Sequence, residues 1–101
     1  MKYIPLIKNM PRPRKNRFIR FNPTAKYFKP RGVPMRQLEE IELEPDEIEA
    51  IRLCDLEEHN MEQAAAKMKI SKSTIHRILA SARKKVAEGL IKGKAIRINE
   101  I

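Results

Sequence analysis

A chain of 101 residues is long enough for one modest hydrophobic core and too short for a second independent one. With 42% apolar and 35% charged residues and no Trp, the core is expected to be thin and the surface highly charged. A single cysteine, Cys54, excludes an intrachain disulfide, and no stretch approaches the ~18 consecutive apolar residues of a membrane span, so a cytoplasmic protein that engages no membrane is expected.

The net charge of +9 is unevenly spread. Residues 1–36 hold eleven Lys or Arg and no acid; residues 37–63 hold eleven acids and one base, Arg52; residues 64–101 hold ten bases and two acids. Basic segments flanking an acidic one concentrate positive potential on part of the surface, the footprint of a polyanion binder.

Six of the seven prolines fall in residues 1–36, at 5, 11, 13, 23, 30 and 34. Proline fixes φ and removes a backbone donor, so this part reads as an extended basic arm rather than a long helix. The opening run MKYIPLIKN is too short in apolar residues for a signal peptide. Pro11-Arg12-Pro13-Arg14-Lys15 forms a stiff cationic segment. Arg12, Arg14 and Lys15 suit the narrow, electronegative minor groove of A·T-rich DNA, or else a solvated tail that adds only counterion-release affinity. Arg17–Phe21 (RFIRF) alternates basic and apolar residues, the period of a half-buried strand. Tyr27 and Phe28 precede a turn at Lys29-Pro30-Arg31-Gly32.

Helical signals begin near Leu43. Pro45 suits a first helical turn, Asp46 and Glu47 suit the positive end of its dipole, and Ile48, Ala50, Ile51, Leu53, Cys54 and Leu56 give a central helix. The acidic run Glu39, Glu40, Glu42, Glu44, Asp46, Glu47 and Glu49 reads as a solvated face that could also meet a basic partner such as RNA polymerase. The pattern breaks at Glu58-His59-Asn60. A short helix follows over Met61–Met68, then a turn at Lys69–Ser71 and a long helix capped by Ser71 and ended by Gly93. Ile75, Ile78, Leu79, Ala82, Val86 and Leu90 mark one apolar face, while interior Gly89 costs that helix ~1 kcal/mol. Ala95-Ile96-Arg97-Ile98 alternates and is expected to pair with Arg17–Phe21 as a small two-stranded sheet from the chain ends.

The segment MEQAAAKMKISKSTIHRILA, Met61 to Ala80, meets the steric demands of a helix-turn-helix. Ala65 is small enough for a close helix crossing, and Ala64, Met68, Ile70, Ile75 and Ile78 supply the locking contacts. The opposite face of the second helix carries no acid. Lys72, Ser73, Thr74, His76 and Arg77 are expected near base edges in a major groove, and Ser71, Ser81, Arg83 and Lys84 at phosphates. Lys69 stands where glycine is usual in such turns; a left-handed lysine there costs about 1 kcal/mol. His59, His76 and Cys54 have no metal-ligand spacing. Neither a nucleophile–base pair nor a glycine-rich phosphate loop is present, so no enzyme, cofactor or metal is expected.

Met10-Pro-Arg-Pro-Arg-Lys15, Phe28-Lys-Pro-Arg-Gly32, Leu38-Glu-Glu-Ile41, Asp46-Glu-Ile-Glu-Ala-Ile-Arg-Leu53, Ala80-Ser-Ala-Arg-Lys-Lys-Val86 and Gly93-Lys-Ala-Ile96 together resemble the uncharacterised prokaryotic family of domain of unknown function 134, regarded as predicted DNA-binding proteins. The resemblance spans about residues 10–98. Leu43–Val86 is also similar to region 4 of sigma factors, whose helix-turn-helix reads promoter DNA. The resemblance implies DNA contacts by Ser71, Lys72, Ser73, Thr74 and Arg77. Lys69 in place of glycine, and Met1–Asn9 ahead of the pattern, depart from it.

The expected architecture is therefore mainly α: a basic extended arm with a short strand over 1–36, a three-helix, sigma region 4-like helix-turn-helix domain over 37–93 with its recognition helix at about 72–92, and a strand over 94–101. The expected function is sequence-specific binding of double-stranded DNA by a transcriptional regulator or sigma-like accessory factor. Two other readings stand beside it, an RNA-binding module and an adaptor docking on the transcription machinery. A homodimer would place its half-sites ~34 Å apart.

Overall fold

The long helix organises the structure. In the computed structural model, which describes residues 4–5, 18–19 and 26–99, this helix (called α3 below) covers Lys72–Lys92 and packs against two other helices and two strands. Five strands precede and follow it: β1 (Ile4–Pro5), β2 (Phe18–Ile19), β3 (Tyr27–Phe28), β4 (Glu40–Leu43) and β5 (Ala95–Ile98). Between β4 and α3 come α1 (Pro45–Ile51), a π-helical turn (Arg52–Leu56) and α2 (Met61–Met68). Mainly helical, with three α-helices and small sheets, the described residues match the coarse expectation.

Local chemistry explains the helix ends. Pro45 opens α1, and the Glu47 carboxylate accepts the Glu44 N–H at 2.8 Å. Asn60 and Gln63 cap α2 reciprocally: Asn60 Oδ1 accepts the Gln63 N–H at 2.8 Å and Gln63 Oε1 accepts the Asn60 N–H at 3.0 Å. Ser71 Oγ accepts the Thr74 N–H at the start of α3, and Gly93 (φ +67) ends that helix in the left-handed region. Lys69 also adopts this region, at φ 57 and ψ 47, and the Ile70 N–H reaches back to the Ala65 carbonyl at 3.0 Å to close α2.

The core has two lobes. Ala50 and Leu53 of the first helical stretch, Ala64, Ala65 and Met68 of α2, and Ile75, Ile78 and Leu79 of α3 form the larger one. Each large member, fully removed from water, stabilises the fold by about 1.5–3 kcal/mol. Ala65 is 4% exposed, so α2 and α3 approach closely there. Leu43, Ala82 and Ile96 form the smaller lobe, beneath the sheet.

Four expectations are corrected. First, β5 does not pair with Arg17–Phe21. It lies between β3, antiparallel (Tyr27↔Arg97, Phe28↔Ile96), and β4, parallel (Glu40↔Ala95 through Leu43↔Ile98). The expected end-strand pair is therefore replaced by a three-stranded sheet of internal segments. Phe18–Ile19, the described part of RFIRF, pairs instead with Ile4–Pro5. Ile19 is fully buried, in contact with α1 and α2. Second, helix does not begin at Leu43: Glu40–Leu43 is strand, because its alternation puts Ile41 and Leu43 on the face shared with Ile96 and Ile98.

Third, the first helix does not continue as a regular α-helix to Leu56. The Glu57 N–H bonds the Arg52 carbonyl at 2.9 Å, five residues back, which widens the last turn. Leu53 points inward there, while Leu56 is 74% exposed. Fourth, the acidic run is not all solvated. Asp46, Glu47 and Glu49 are at most 5% exposed. Glu49 is held by the Arg52 guanidinium, with both bonds at 2.9 Å, and Arg52 also pairs with Glu57.

Candidate nucleic-acid interface

Periodicity assigns α3 two faces. Ile75, Ile78, Leu79, Ala82 and Gly89 turn inward, and Lys72, Ser73, His76, Arg77, Ala80, Arg83, Lys84 and Ala87 are exposed on the other side. At 100° per residue these exposed positions form one stripe about 140° wide. It contains no acid, and Ala80 at its middle leaves the backbone open to close approach. Glu88, at the stripe's edge, is held by Lys94 at 2.7 Å, and Lys94 also meets Glu39 at 3.3 Å. The hydrogen bond from Lys94 holds the Glu88 carboxyl below its ordinary range.

The twelve residues singled out in the sequence divide into three groups. Lys72, Ser73, His76, Arg77 and Lys84 are exposed on the stripe, and Lys72, Arg77 and Lys84 have no hydrogen bond or ion pair to a described residue. Four others are engaged inside the protein. The Ser71 hydroxyl is 2.7 Å from Thr74 Oγ1 and 3.1 Å from Ser73 Oγ, so these groups form a capping cluster around the start of α3. Ser81 Oγ donates to Glu47 Oε2 at 2.6 Å. Arg83 forks onto Asp55, with Nη2–Oδ1 at 2.5 Å and Nε–Oδ2 at 3.2 Å. The third group, Arg12, Arg14 and Lys15, lies outside the described residues.

Two of those engagements are structural ties that spacing alone gives no sign of. Glu47, almost fully buried, accepts from the Glu44 N–H, the Ser81 hydroxyl and the Lys85 ammonium (2.8 Å); Lys85 also reaches the Glu42 carbonyl at 2.8 Å. One carboxylate thus fixes β4, α1 and α3 to one another. Arg83 and Asp55 bind α3 to the π-helical turn, and that hydrogen bond lowers the Asp55 pKa. Next to it, Cys54 is half-buried; burial, then the Asp55 charge, raises its thiol pKa, so the thiol stays protonated at neutral pH.

The turn into α3 carries a further cation. Lys69 Nζ lies 4.7 Å from the centroid of the Phe18 ring, within cation–π range. Strand β2 is thereby fixed beside the α2–α3 turn. At the other end of α3, Leu90 and Ile91 are 74% and 84% exposed. Leu90 thus leaves the apolar stripe expected of it; Gly89 occupies the inward position instead, with Ile96 against it. No helix among the described residues is long and apolar enough to cross a membrane.

These features define a small, mainly helical protein with a mixed three-stranded sheet and a cationic, acid-free helix face. Residues 7–100 match the family described as Protein of unknown function DUF134, and the chain belongs to that family. It is 52% identical over 89 residues to a UPF0251 protein of Caldanaerobacter subterraneus subsp. tengcongensis, covering 88% of this chain and 75% of that one. A UPF0251 protein of Thermoanaerobacter pseudethanolicus is 53% identical over 89 residues with the same coverage. One from Clostridium botulinum is 52% identical over 90 residues, 89% of this chain and 57% of the relative. No solved structure matches the chain.

Proposed function

We propose that this protein binds double-stranded DNA, using α2 and α3 as a sigma region 4-like helix-turn-helix, and that it regulates transcription or assists the transcription machinery. The reading is carried by the stripe on α3: Lys72, Arg77 and Lys84 stand exposed, unpaired by any described acid, around His76, Ser73 and Ala80. An α-helix about 10–12 Å across fits a major groove about 12 Å wide. The first three turns of α3 would enter it, Arg77 reaching guanine acceptors and Ala80 allowing close approach. Lys72 and Lys84 would neutralise phosphates. Arg83 and Ser81, tied to Asp55 and Glu47, contribute less than the sequence suggests.

Fluorescence anisotropy with a labelled duplex, at two salt concentrations, tests the proposal. Arg77→Ala and Lys72→Ala should each weaken binding while leaving the circular dichroism spectrum unchanged. If Arg77 reads a base, its loss should cost about 1–3 kcal/mol of discrimination between sequences. Wild-type affinity in both variants would end the groove assignment.

A further inference from the structure

The motif Phe28-Lys-Pro-Arg-Gly32 lies by the C-terminal end of α3, where Pro30 approaches Gly93, and the proposed duplex contact gives it no role. Its strand, β3, is an edge of the three-stranded sheet, with Tyr27 44% and Phe28 58% exposed. Strand register places Tyr27, Arg97 and Glu42 in one row across β3, β5 and β4. Phe28, Ile96 and Ile41 form the next row on the opposite face, where Ile96 packs against α3 at Gly89. The Tyr27–Arg97 row therefore faces away from α3.

On that outer face Glu42, beside Arg97, and Glu44 both accept from Asn99 Nδ2, at 2.9 Å and 3.3 Å, while Glu40 stands exposed two residues along β4. Arg97 is exposed and has no hydrogen bond or ion pair to a described residue. A cleft of about 220 Å³ opens there, lined by Lys26, Tyr27, Arg97, Ile98 and Asn99. That is smaller than the roughly 300–1,000 Å³ of sites that enclose whole small molecules, so it takes part of a longer ligand. The adjoining loop is held by Lys29 Nζ, which donates to the Val33 carbonyl at 2.8 Å, and it presents Arg31 beside Gly32 (φ +81).

We infer that the Tyr27–Arg97 face is a second nucleic-acid site, one that holds a segment of single-stranded DNA with a base stacked on Tyr27 and its phosphates at Arg97 and Arg31. An exposed ring beside the exposed Arg97 suits a strand whose base faces are open; in a duplex those faces are already stacked. Charge complementarity points to a polyanion, because Lys26, Lys29, Arg31 and Arg97 are exposed on or next to this strand pair and residues 26–36 contain no acid. The Tyr27–Arg97 row lies on the side of the sheet opposite to α3, so the two surfaces can be occupied at once. The choice of DNA over RNA rests on the duplex-binding reading above; the site itself does not.

The test uses the full chain, a fluorescein-labelled DNA strand of about 12 nucleotides, the matched RNA and the matched duplex. Arg97→Gln and Tyr27→Thr should each weaken single-strand binding about five- to tenfold, and Tyr27→Phe should restore it, as expected for stacking. Duplex affinity should change no more than about twofold in these variants. Tyr3 and Tyr27 are the only tyrosines. In a Tyr3→Phe chain, the unlabelled strand should therefore quench the remaining emission.

Unchanged single-strand affinity in both Arg97→Gln and Tyr27→Thr would overturn the inference. So would a loss confined to Lys72→Ala and Arg77→Ala, which would put the strand on α3. A loss of duplex affinity alone in Arg97→Gln would make the face a duplex phosphate contact and equally end the single-strand assignment. Tenfold tighter binding of the RNA would overturn the choice of DNA. If the wild-type chain binds no duplex but the strand still quenches Tyr27, the function proposed above fails while this site stands.

Discussion

Lys69 shows how one residue can carry a cost and a compensation together. Its φ of 57° puts a β-carbon where a left-handed turn disfavours it, at about 1 kcal/mol. Its ammonium lies over Phe18, a contact worth about 0.5–1 kcal/mol at an exposed site. Glycine there relieves the strain but gives up the ring contact and adds unfolded-chain entropy, about 0.4–1 kcal/mol. Alanine keeps the strain and also gives up the contact. Urea unfolding should therefore place Lys69→Gly between wild type and about 1 kcal/mol below it, and Lys69→Ala lower than wild type by about 0.5–1 kcal/mol. An alanine variant as stable as wild type would show that the Phe18 contact contributes nothing. The sequence identified the position as unusual for lysine, but not the ring that compensates for it, because Phe18 lies 51 residues away in the chain.

Among elements, α3 matters most, and its inner face reveals the close approach of β5. A β-carbon built on Gly89 would stand 2.6 Å from Ile96 Cγ1 and 2.7 Å from Cδ1. Gly89→Ala gains about 1 kcal/mol of helix propensity yet must displace a packed isoleucine, which costs about 1–3 kcal/mol. The denaturation midpoint should fall. Adding Ile96→Ala should remove the penalty from the Gly89 change, and simple additivity of the two would contradict the contact.

The Asp55–Arg83 tie gives a pH dependence whose sign is set by the lowered carboxyl pKa. Its stabilisation is present above the ordinary Asp value of about 3.9 and is lost as pH falls through the lower folded value. Wild type should lose more stability than Asp55→Asn between neutral pH and about pH 3 in urea titrations. Both groups are largely solvated, so the difference should be small and should shrink with added salt.

For the molecule as a whole, the question is how charge is distributed over the fold. The acids of α1 are turned inward or paired, so they do not offset the stripe on α3. Lys72 and Lys84, the stripe's two phosphate contacts, should contribute about −1.8 to the duplex-binding salt slope on logarithmic axes, at about −0.9 per neutralised phosphate. Asp55→Asn releases Arg83 and should steepen that slope by about one, with tighter duplex binding. An unchanged slope would mean that Arg83 never reaches the DNA.

The sequence by itself determined what depends on neighbours a few residues apart. Ser71 and Gly93 bound α3, and the 3.6-residue repeat separates an apolar face from an acid-free one. Ala65, Met68, Ile75 and Ile78 were legible as the locking contacts because each lies within a helical turn or two of the next. Only the tertiary structure decided which strands pair, which acids are buried, and which of the expected contacts are already engaged. The β5 strand could have met any alternating segment; it lies between β3 and β4 because those place Phe28, Ile41 and Leu43 beside Ile96 and Ile98 on one face. Ser81 meets Glu47 across 34 residues and Arg83 meets Asp55 across 28. Hydrogen bonds over such separations depend on how helices cross, and local periodicity carries no information about that.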